Sequence, residues 1–120
     1  MNSMKKHALF FSALADENRL RLLHLMRNGE ICVCFLQGAL RTNQPKISRH
    51  LAYLRRAGLV STRRQGKWMH YSLRKQPAAL QRLLNDALAS MKDDPQIQRD
   101  AERATKIQCA PARFGLSIPK

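Results

Sequence analysis

Two cysteines separated by one residue are the first feature of this 120-residue chain that could do chemistry. Cys32 and Cys34 flank Val33, and thiolate ligands select soft metals and metalloids over magnesium or calcium. In an intact helix these two positions lie about 200° apart around the axis, so both sulfurs can bind one ion only if the helix unwinds locally or begins later. The alternative is that both thiols are small buried hydrophobic groups, as free cysteines often are. The spacing alone leaves both interpretations open.

A site with more than two ligands needs a third group from elsewhere in the chain. Cys109 completes a three-thiolate site if the C-terminal segment folds back or crosses to a partner subunit, and otherwise it is a free thiol. The four histidines do not cluster with the thiols along the sequence, which argues against a closed zinc site with four protein ligands. These histidines are His7, His24, His50 and His70.

A second set of side chains has the chemistry of DNA reading. Gln44 can pair with adenine and Arg49 with guanine, while Ser48 can bond to either base. Further polar and basic residues suit phosphate, sugar or minor-groove contacts, which position a protein on DNA. These are Lys46, His50, Tyr53, Arg63, Arg64, Gln65 and Lys67. Each alone is an ordinary solvated group, but their concentration in two short segments favours DNA binding, whereas His70 is interpreted as a packed or surface strand residue.

The basic charge of the chain is concentrated in the same region. The sequence has 22 Lys+Arg and 8 Asp+Glu, a net charge of +14, yet residues 31–85 contain no acidic residue. A single-sign stretch inside a folded pattern favours a surface for phosphates. Nucleic acid is therefore the expected partner, with a membrane surface or a bland basic surface as the alternatives. No apolar run is long enough for a membrane-spanning helix.

Three helical segments are predicted around the candidate residues. Asp16 precedes the first and, with Arg19, places an acid early and a base later in the pattern, and residues 31–40 form a short apolar helix. Asn43 is the expected N-cap of the third, which tolerates Pro45 in its first turn and ends at residues 57–58. Two short helices joined by a polar turn describe a helix-turn-helix. The buried stripe of its second helix is predicted to be Ile47, Leu51 and Leu54.

A β-hairpin is predicted directly after the helix-turn-helix. Residues 60–64 and 67–73 are strand-like and flank the turn pair Gln65-Gly66. The second of these strands has the period-2 pattern of a half-buried sheet. The expected fold is therefore mainly α with a small β-hairpin, a winged helix-turn-helix.

Further helices are predicted at the two ends of the chain. The N-terminal segment imitates a short secretory signal, but Ser12 interrupts it, so a cytoplasmic first helix is expected. Residues 78–91 form another amphipathic helix, and both helices have more apolar surface than a core of this size can cover, which predicts a homodimer interface. Residues 1–92 are thus expected to be the DNA-binding and dimerisation domain, and residues 93–120 an extension with a weak helix and then a flexible tail. The apolar stripe of this weak helix is predicted to be Ile97, Ala101, Ala104 and Ile107.

Three motifs in series resemble the ArsR/SmtB family of winged-helix repressors. Residues 30–36, EICVCFL, resemble its metal box, residues 44–60 resemble its recognition helix, and residues 65–73 resemble its wing. The resemblance is strongest to the arsenic-responsive repressors. It implies a homodimer that binds double-stranded operator DNA without a cofactor and dissociates when trivalent arsenic or antimony binds Cys32 and Cys34.

The sequence departs from the family's arsenic box at two positions. Gln37 stands where that box usually has a third cysteine, and Phe35 stands where it has aspartate. The third ligand is then Cys109, an exogenous thiol or none. The alternatives are a cadmium, lead, zinc or thiol-oxidation sensor of the same fold, or a constitutive DNA-binding protein with structural cysteines. An enzyme is not expected, because the sequence places no base near the thiols and offers no substrate pocket.

Overall fold

The computed structural model of the chain describes residues 3–109, with side chains through residue 107. It contains six helices and three strands within that range. In chain order these are α1 (Ser3–Leu14), α2 (Glu17–Leu25), β1 (Ile31–Cys32), α3 (Val33–Leu40), α4 (Gln44–Arg56), β2 (Val60–Gln65), β3 (Trp68–Leu73), α5 (Ala78–Ser90) and α6 (Pro95–Cys109). The architecture is a winged helix-turn-helix, in which α3 and α4 form the helix-turn-helix and β2 and β3 form the wing.

Side-chain caps fix the starts of the two helices that the sequence marks most clearly. Asp16 accepts a hydrogen bond from the backbone N–H of Arg19 at 3.0 Å, and Asn43 accepts one from Lys46 at 2.9 Å. The Asn43 cap confirms the prediction, whereas Asp16 was predicted only to precede its helix. Both side chains satisfy backbone donors that a helix leaves unpaired in its first turn. At the other end of α4, Gly58 has φ of +79°, the left-handed conformation expected after a helix.

The predicted helix over residues 31–40 is wrong at its start. Ile31 and Cys32 form a short strand that pairs antiparallel with β3, and the helix begins only at Val33. Cys32 itself has an extended backbone, with φ of −70° and ψ of +142°. The exposed edge of β3 offers backbone hydrogen bonds to these two residues, and this tertiary pairing outweighs the local apolar pattern.

The sheet has the order β1-β3-β2, so the wing hairpin carries β1 on its inner edge. Ile31 lies opposite Tyr71 and Cys32 opposite His70. The hairpin turn lies one residue later than predicted, because β2 continues through Gln65 and the turn is formed by Gly66 and Lys67. Gly66 has φ of +61°, which glycine adopts without steric cost.

One core joins all of the helices. Leucine and isoleucine side chains from α2, α3, α4 and α5 meet there, and the predicted stripe of α4 is buried as expected. Helix α6 adds to the same core with Ala104 and Ile107, whereas Ala101 of its predicted stripe is exposed. Residues 95–107 therefore share the core of the preceding helices, and the tail predicted beyond residue 109 lies outside the described residues. None of the described helices is long and apolar enough to cross a membrane.

Candidate thiol site and nucleic-acid interface

The two neighbouring cysteines form a closed pair beneath the surface. The Cys34 thiol donates to the sulfur of Cys32 across 3.2 Å, and the residues are only 4% and 3% exposed. This contact exists because Cys32 precedes the helix, so the helical separation that would keep the two sulfurs apart does not apply. The pair can thus bind one soft atom without any helix unwinding, because the helix begins later, which is one of the two arrangements that the cysteine spacing allowed.

Burial decides the protonation state of Cys34. It raises the pKa of Cys34 to about 12, and the contact with Cys32 acts in the same direction. At neutral pH the site therefore presents a thiol rather than a thiolate at Cys34. Such a site is suited to a reactant that can remove the thiol proton as it binds.

No group of three His, Cys, Asp or Glu side chains that could hold a metal ion occurs within the described part of the chain. Gln37, in the position of the missing third cysteine, is half-buried on α3. The backbone of α6 ends at Cys109, but the side chain of Cys109 lies outside the described residues. The described thiol site therefore has two ligands.

A buried carboxylate fixes the course of α6 over the helix-turn-helix. Asp100 is 1% exposed and accepts two hydrogen bonds of 2.8 Å from Arg21, which also donates to the Leu40 carbonyl at the end of α3. These hydrogen bonds to Asp100 raise the pKa of Arg21. Before Asp100, Ile97 lies beside α2, and after it Ile107 is buried where α6 packs along α3. Helix α6 therefore packs along α3, with Asp100 close to the C-terminal end of that helix.

The exposed face of α4 carries most of the predicted DNA contacts. Four of the six predicted residues on this helix are solvent-exposed, and the buried stripe lies on the opposite side of the helix. A helix with one apolar face packed on the core and one polar face in solvent is the arrangement that a recognition helix needs. The four exposed residues are Gln44, Lys46, Ser48 and Arg49.

His50 and Tyr53 instead face the start of α2. His50 Nδ1 lies 3.7 Å from the Asp16 carboxylate and 3.5 Å from the Arg19 guanidinium, whose carbon lies 4.2 Å from the centroid of the Tyr53 ring. Burial lowers the pKa of His50, and the charge of Asp16 opposes that shift. No pattern in the sequence predicted this cluster.

The wing presents the remaining predicted contacts. Arg64, Gln65 and Lys67 are exposed at the hairpin tip, and Arg64 donates to the Gly66 carbonyl at 3.2 Å. Arg63 is also exposed, but Glu30 holds its guanidinium with hydrogen bonds of 2.6 and 2.9 Å.

This ion pair lies beside the thiol site. Its hydrogen bonds lower the pKa of Glu30. His70 Nδ1 lies 4.0 Å from the same carboxylate, and His70 Nε2 is buried without a hydrogen-bond partner among the described residues. His70 is thus a packed strand residue, as predicted.

The sequence of this region is similar to those of known regulatory proteins. The profile of bacterial regulatory proteins of the arsR family matches residues 16–62, which span α2, the thiol pair and α4. The chain is 37% identical over 71 residues to an arsenical resistance operon repressor of Bacillus subtilis, covering 58% of this chain and 68% of that protein. This chain belongs to the ArsR family.

Other family members show how far the likeness extends. An arsenical resistance operon repressor of Escherichia coli is 58% identical over 64 residues, which cover 52% of this chain and 55% of that protein. The chain thus spans about half the length of the first curated relatives that it matches.

Solved structures extend the likeness to the fold. HlyU from Vibrio cholerae superposes with a TM-score of 0.66 at 30% identity, covering 75% of this chain and 97% of that one. A homodimeric winged helix-turn-helix DNA-binding domain from Mycobacterium bovis gives a TM-score of 0.63 at 27% identity, covering 77% and 83%.

In this ArsR-family chain, α1 and α5 leave large apolar side chains in solvent. Met4 and Phe11 on α1 are 78% and 50% exposed, and Leu83 on α5 is 45% exposed. Phe10 of the same helix is buried in the core, whereas its neighbour Phe11 is not. The exposed apolar groups lie on the two helices that the sequence assigned to a dimer interface.

Proposed function

We propose that this protein is a transcriptional repressor that binds operator DNA as a homodimer and is released when trivalent arsenic or antimony binds Cys32 and Cys34. The observation that carries the proposal is the buried thiol pair with its 3.2 Å sulfur separation, placed where β1 meets the first helix of the helix-turn-helix. The names of the relatives from Escherichia coli and Bacillus subtilis support an arsenical inducer. Repression of a bacterial operon places the protein in the cytoplasm.

The protonation of Cys34 favours a neutral metalloid over a divalent cation. Arsenous acid carries hydroxide groups, so each sulfur–arsenic bond forms as one thiol proton leaves with one hydroxide as water. A zinc, cadmium or lead ion brings no hydroxide and needs thiolates, and burial disfavours the charged form of Cys34. The same burial disfavours a thiol-oxidation sensor, because the thiolate is the reactive species.

Cys109 is the third thiolate in this proposal. Trivalent arsenic and antimony can form three bonds to sulfur, but Gln37 replaces the cysteine that would supply the third ligand from α3. Helix α6 packs against α3, the helix that carries Cys34, and ends at Cys109, and this packing supports a ligand from this end of the chain.

The DNA surface combines α4 with the wing. Gln44, Ser48 and Arg49 supply base contacts, because they are exposed near the start of a helix that can enter the major groove. Lys46 and the wing side chains contact phosphates, and the absence of acidic residues over 31–85 leaves their attraction for DNA unopposed within that segment. The wing contacts are Arg63, Arg64, Gln65 and Lys67. The sequence predicted phosphate or sugar contacts for His50 and Tyr53. In this arrangement they instead connect α4 to the start of α2, through Asp16 and Arg19.

The homodimer forms through α1 and α5. Phe11 and Leu83 are large apolar groups that a second copy would bury, and a two-fold reader of DNA needs a two-fold interface. The homodimeric neighbour from Mycobacterium bovis supports this assembly. Light scattering tests it: Phe11→Glu should give a monomer, and the exposed α6 control Ala101→Glu should remain a dimer.

Release of operator DNA tests the proposed function as a whole. Fluorescence anisotropy is followed for the full chain on DNA from its own upstream region under reducing conditions, while arsenite is added, with zinc in parallel. We expect arsenite to release the DNA and zinc to leave it bound. Release by zinc alone, or by neither, would overturn the metalloid assignment, and no DNA binding at all would overturn the repressor.

A further inference from the structure

A single guanidinium group, that of Arg19, joins three helices. Its Nε and Nη2 groups donate to the carbonyls of Ala13 and Ser12 at 3.0 and 2.9 Å, at the C-terminal end of α1. Its carbon lies 4.2 Å from the centroid of the Tyr53 ring on α4. Its third nitrogen lies 3.5 Å from His50, one turn earlier on α4.

The chemistry of this contact requires arginine. The last carbonyls of a helix carry partial negative charge and attract a cation. The planar fork donates to two of them at once while its face lies on an aromatic ring, and the point charge of lysine cannot reproduce both interactions. Arg19 is half-buried, and these interactions occupy both its fork and its face.

We propose that Arg19 is a positioning residue for DNA binding, which fixes the recognition helix α4 relative to the dimerisation helix α1 without contacting DNA. This inference rests on the proposed function. In a two-fold repressor, the two recognition helices must be separated by one turn of DNA, and that separation depends on how α4 is held relative to the dimer interface. The contacts to Ser12, Ala13 and Tyr53 make that connection within one side chain.

The competing role for Arg19 is a direct phosphate contact, and salt dependence separates the two. Each phosphate contact that is lost reduces the slope of log affinity against log salt concentration by about 0.9. Loss of a positioning residue lowers the affinity at every salt concentration and leaves the slope unchanged.

The experiment measures operator affinity and its salt slope for the wild type, Arg19→Lys and Arg19→Ala. Lys46→Ala serves as the reference for a lost phosphate contact, and Arg27→Ala removes one charge from the exposed turn after α2. We expect both Arg19 variants to bind the operator at least about tenfold more weakly than the wild type. We expect their salt slope to equal that of the Arg27→Ala control. Recovery to within about twofold of the wild type in Arg19→Lys, or a slope reduced as in Lys46→Ala, would overturn the proposal.

A second pair of variants keeps the test decisive if Arg19→Ala does not fold. Tyr53→Leu removes the aromatic face from the partner side, and it is compared with Arg19→Lys and with the double variant. We expect the double variant to bind DNA no more weakly than whichever single variant binds more weakly. The reason is that the Arg19 and Tyr53 substitutions remove the same connection between α2 and α4. Losses that simply add would contradict the proposal. A wild-type chain that binds no DNA would refute the proposed function instead, before any Arg19 variant is compared.

Discussion

Cys32 and His70 are direct partners across the short sheet that joins the thiol pair to the wing. His70 in turn pairs with Arg63 on β2, so one row of residues crosses the sheet from the candidate metalloid ligand to a candidate DNA contact. A metalloid that draws Cys32 and Cys34 toward itself acts on β1, and β1 is hydrogen-bonded to the wing. This route needs no unwinding of α3.

The ion pair of Glu30 with Arg63 is expected to restrain DNA binding. Glu30→Gln removes the carboxylate that holds the Arg63 guanidinium, which frees Arg63 for a phosphate. Operator affinity should rise, and the salt slope should steepen by up to about one unit, as measured by anisotropy at several salt concentrations. Glu102→Gln makes the same charge change at an exposed position of α6 and is the control. Equal effects of the two variants would show that only net charge matters.

The third ligand is tested by Cys109→Ser. If α6 brings this thiol to the pair, the variant should need roughly tenfold more arsenite to release the operator, because one sulfur–arsenic bond is lost. Its operator affinity without arsenite should equal that of the wild type. Thr105→Ser, an exposed change on the same helix, controls for disturbance of α6. An arsenite titration identical to that of the wild type would show that Cys109 is not a ligand.

Base reading and phosphate contact make different predictions for two neighbours on α4. Arg49→Ala should weaken operator binding by about 1–3 kcal/mol and relax specificity at one base position, if Arg49 reads guanine. Lys46→Ala should weaken binding to all sequences and reduce the salt slope by about one. Competition with operator variants and random DNA measures both effects. Equal losses on operator and random DNA for Arg49→Ala would make it a phosphate contact.

The anchor of α6 makes a prediction about stability. Asp100→Asn leaves the half-buried Arg21 without its carboxylate partner, and the loss of one member of a buried pair costs about 3 kcal/mol of unfolding free energy. Asp93→Asn removes the same charge at an exposed position and should change stability by less than about 0.5 kcal/mol. Urea unfolding followed by circular dichroism compares the two. Equal stabilities would show that α6 is not held by this pair.

Local patterns in the sequence predicted the parts of the fold that depend on local chemistry. Asn43 was predicted to cap its helix, because a capping side chain needs only backbone donors a few residues away. The strand at Ile31 and Cys32 was missed because its cause is the edge of β3, which is distant in sequence. Pairing with β3 therefore sets the start of α3 at Val33, and the contact between the two sulfurs depends on that boundary.

The sequence predicted which residues make up the candidate site, but it did not predict which side chains contact one another. The exposed face of α4 followed from the spacing of its buried stripe, whereas the inward positions of His50 and Tyr53 depend on Arg19, which reaches them from another helix. Asp100 did leave a signal, because it lies three residues after Ile97 and four before Ala104, within the apolar stripe of α6. An acidic residue at such a position indicates a buried partner, and here that partner is Arg21.

The response of the two thiol variants to arsenite tests most directly whether Cys32 and Cys34 are the metalloid switch. Cys32→Ser and Cys34→Ser are each bound to fluorescent operator DNA, and arsenite is added under reducing conditions beside the wild type. We expect both variants to bind the operator as the wild type does and to stay bound at arsenite concentrations that release the wild type fully. Release of either variant at the wild-type concentration would contradict the claim that this buried pair is the metalloid switch.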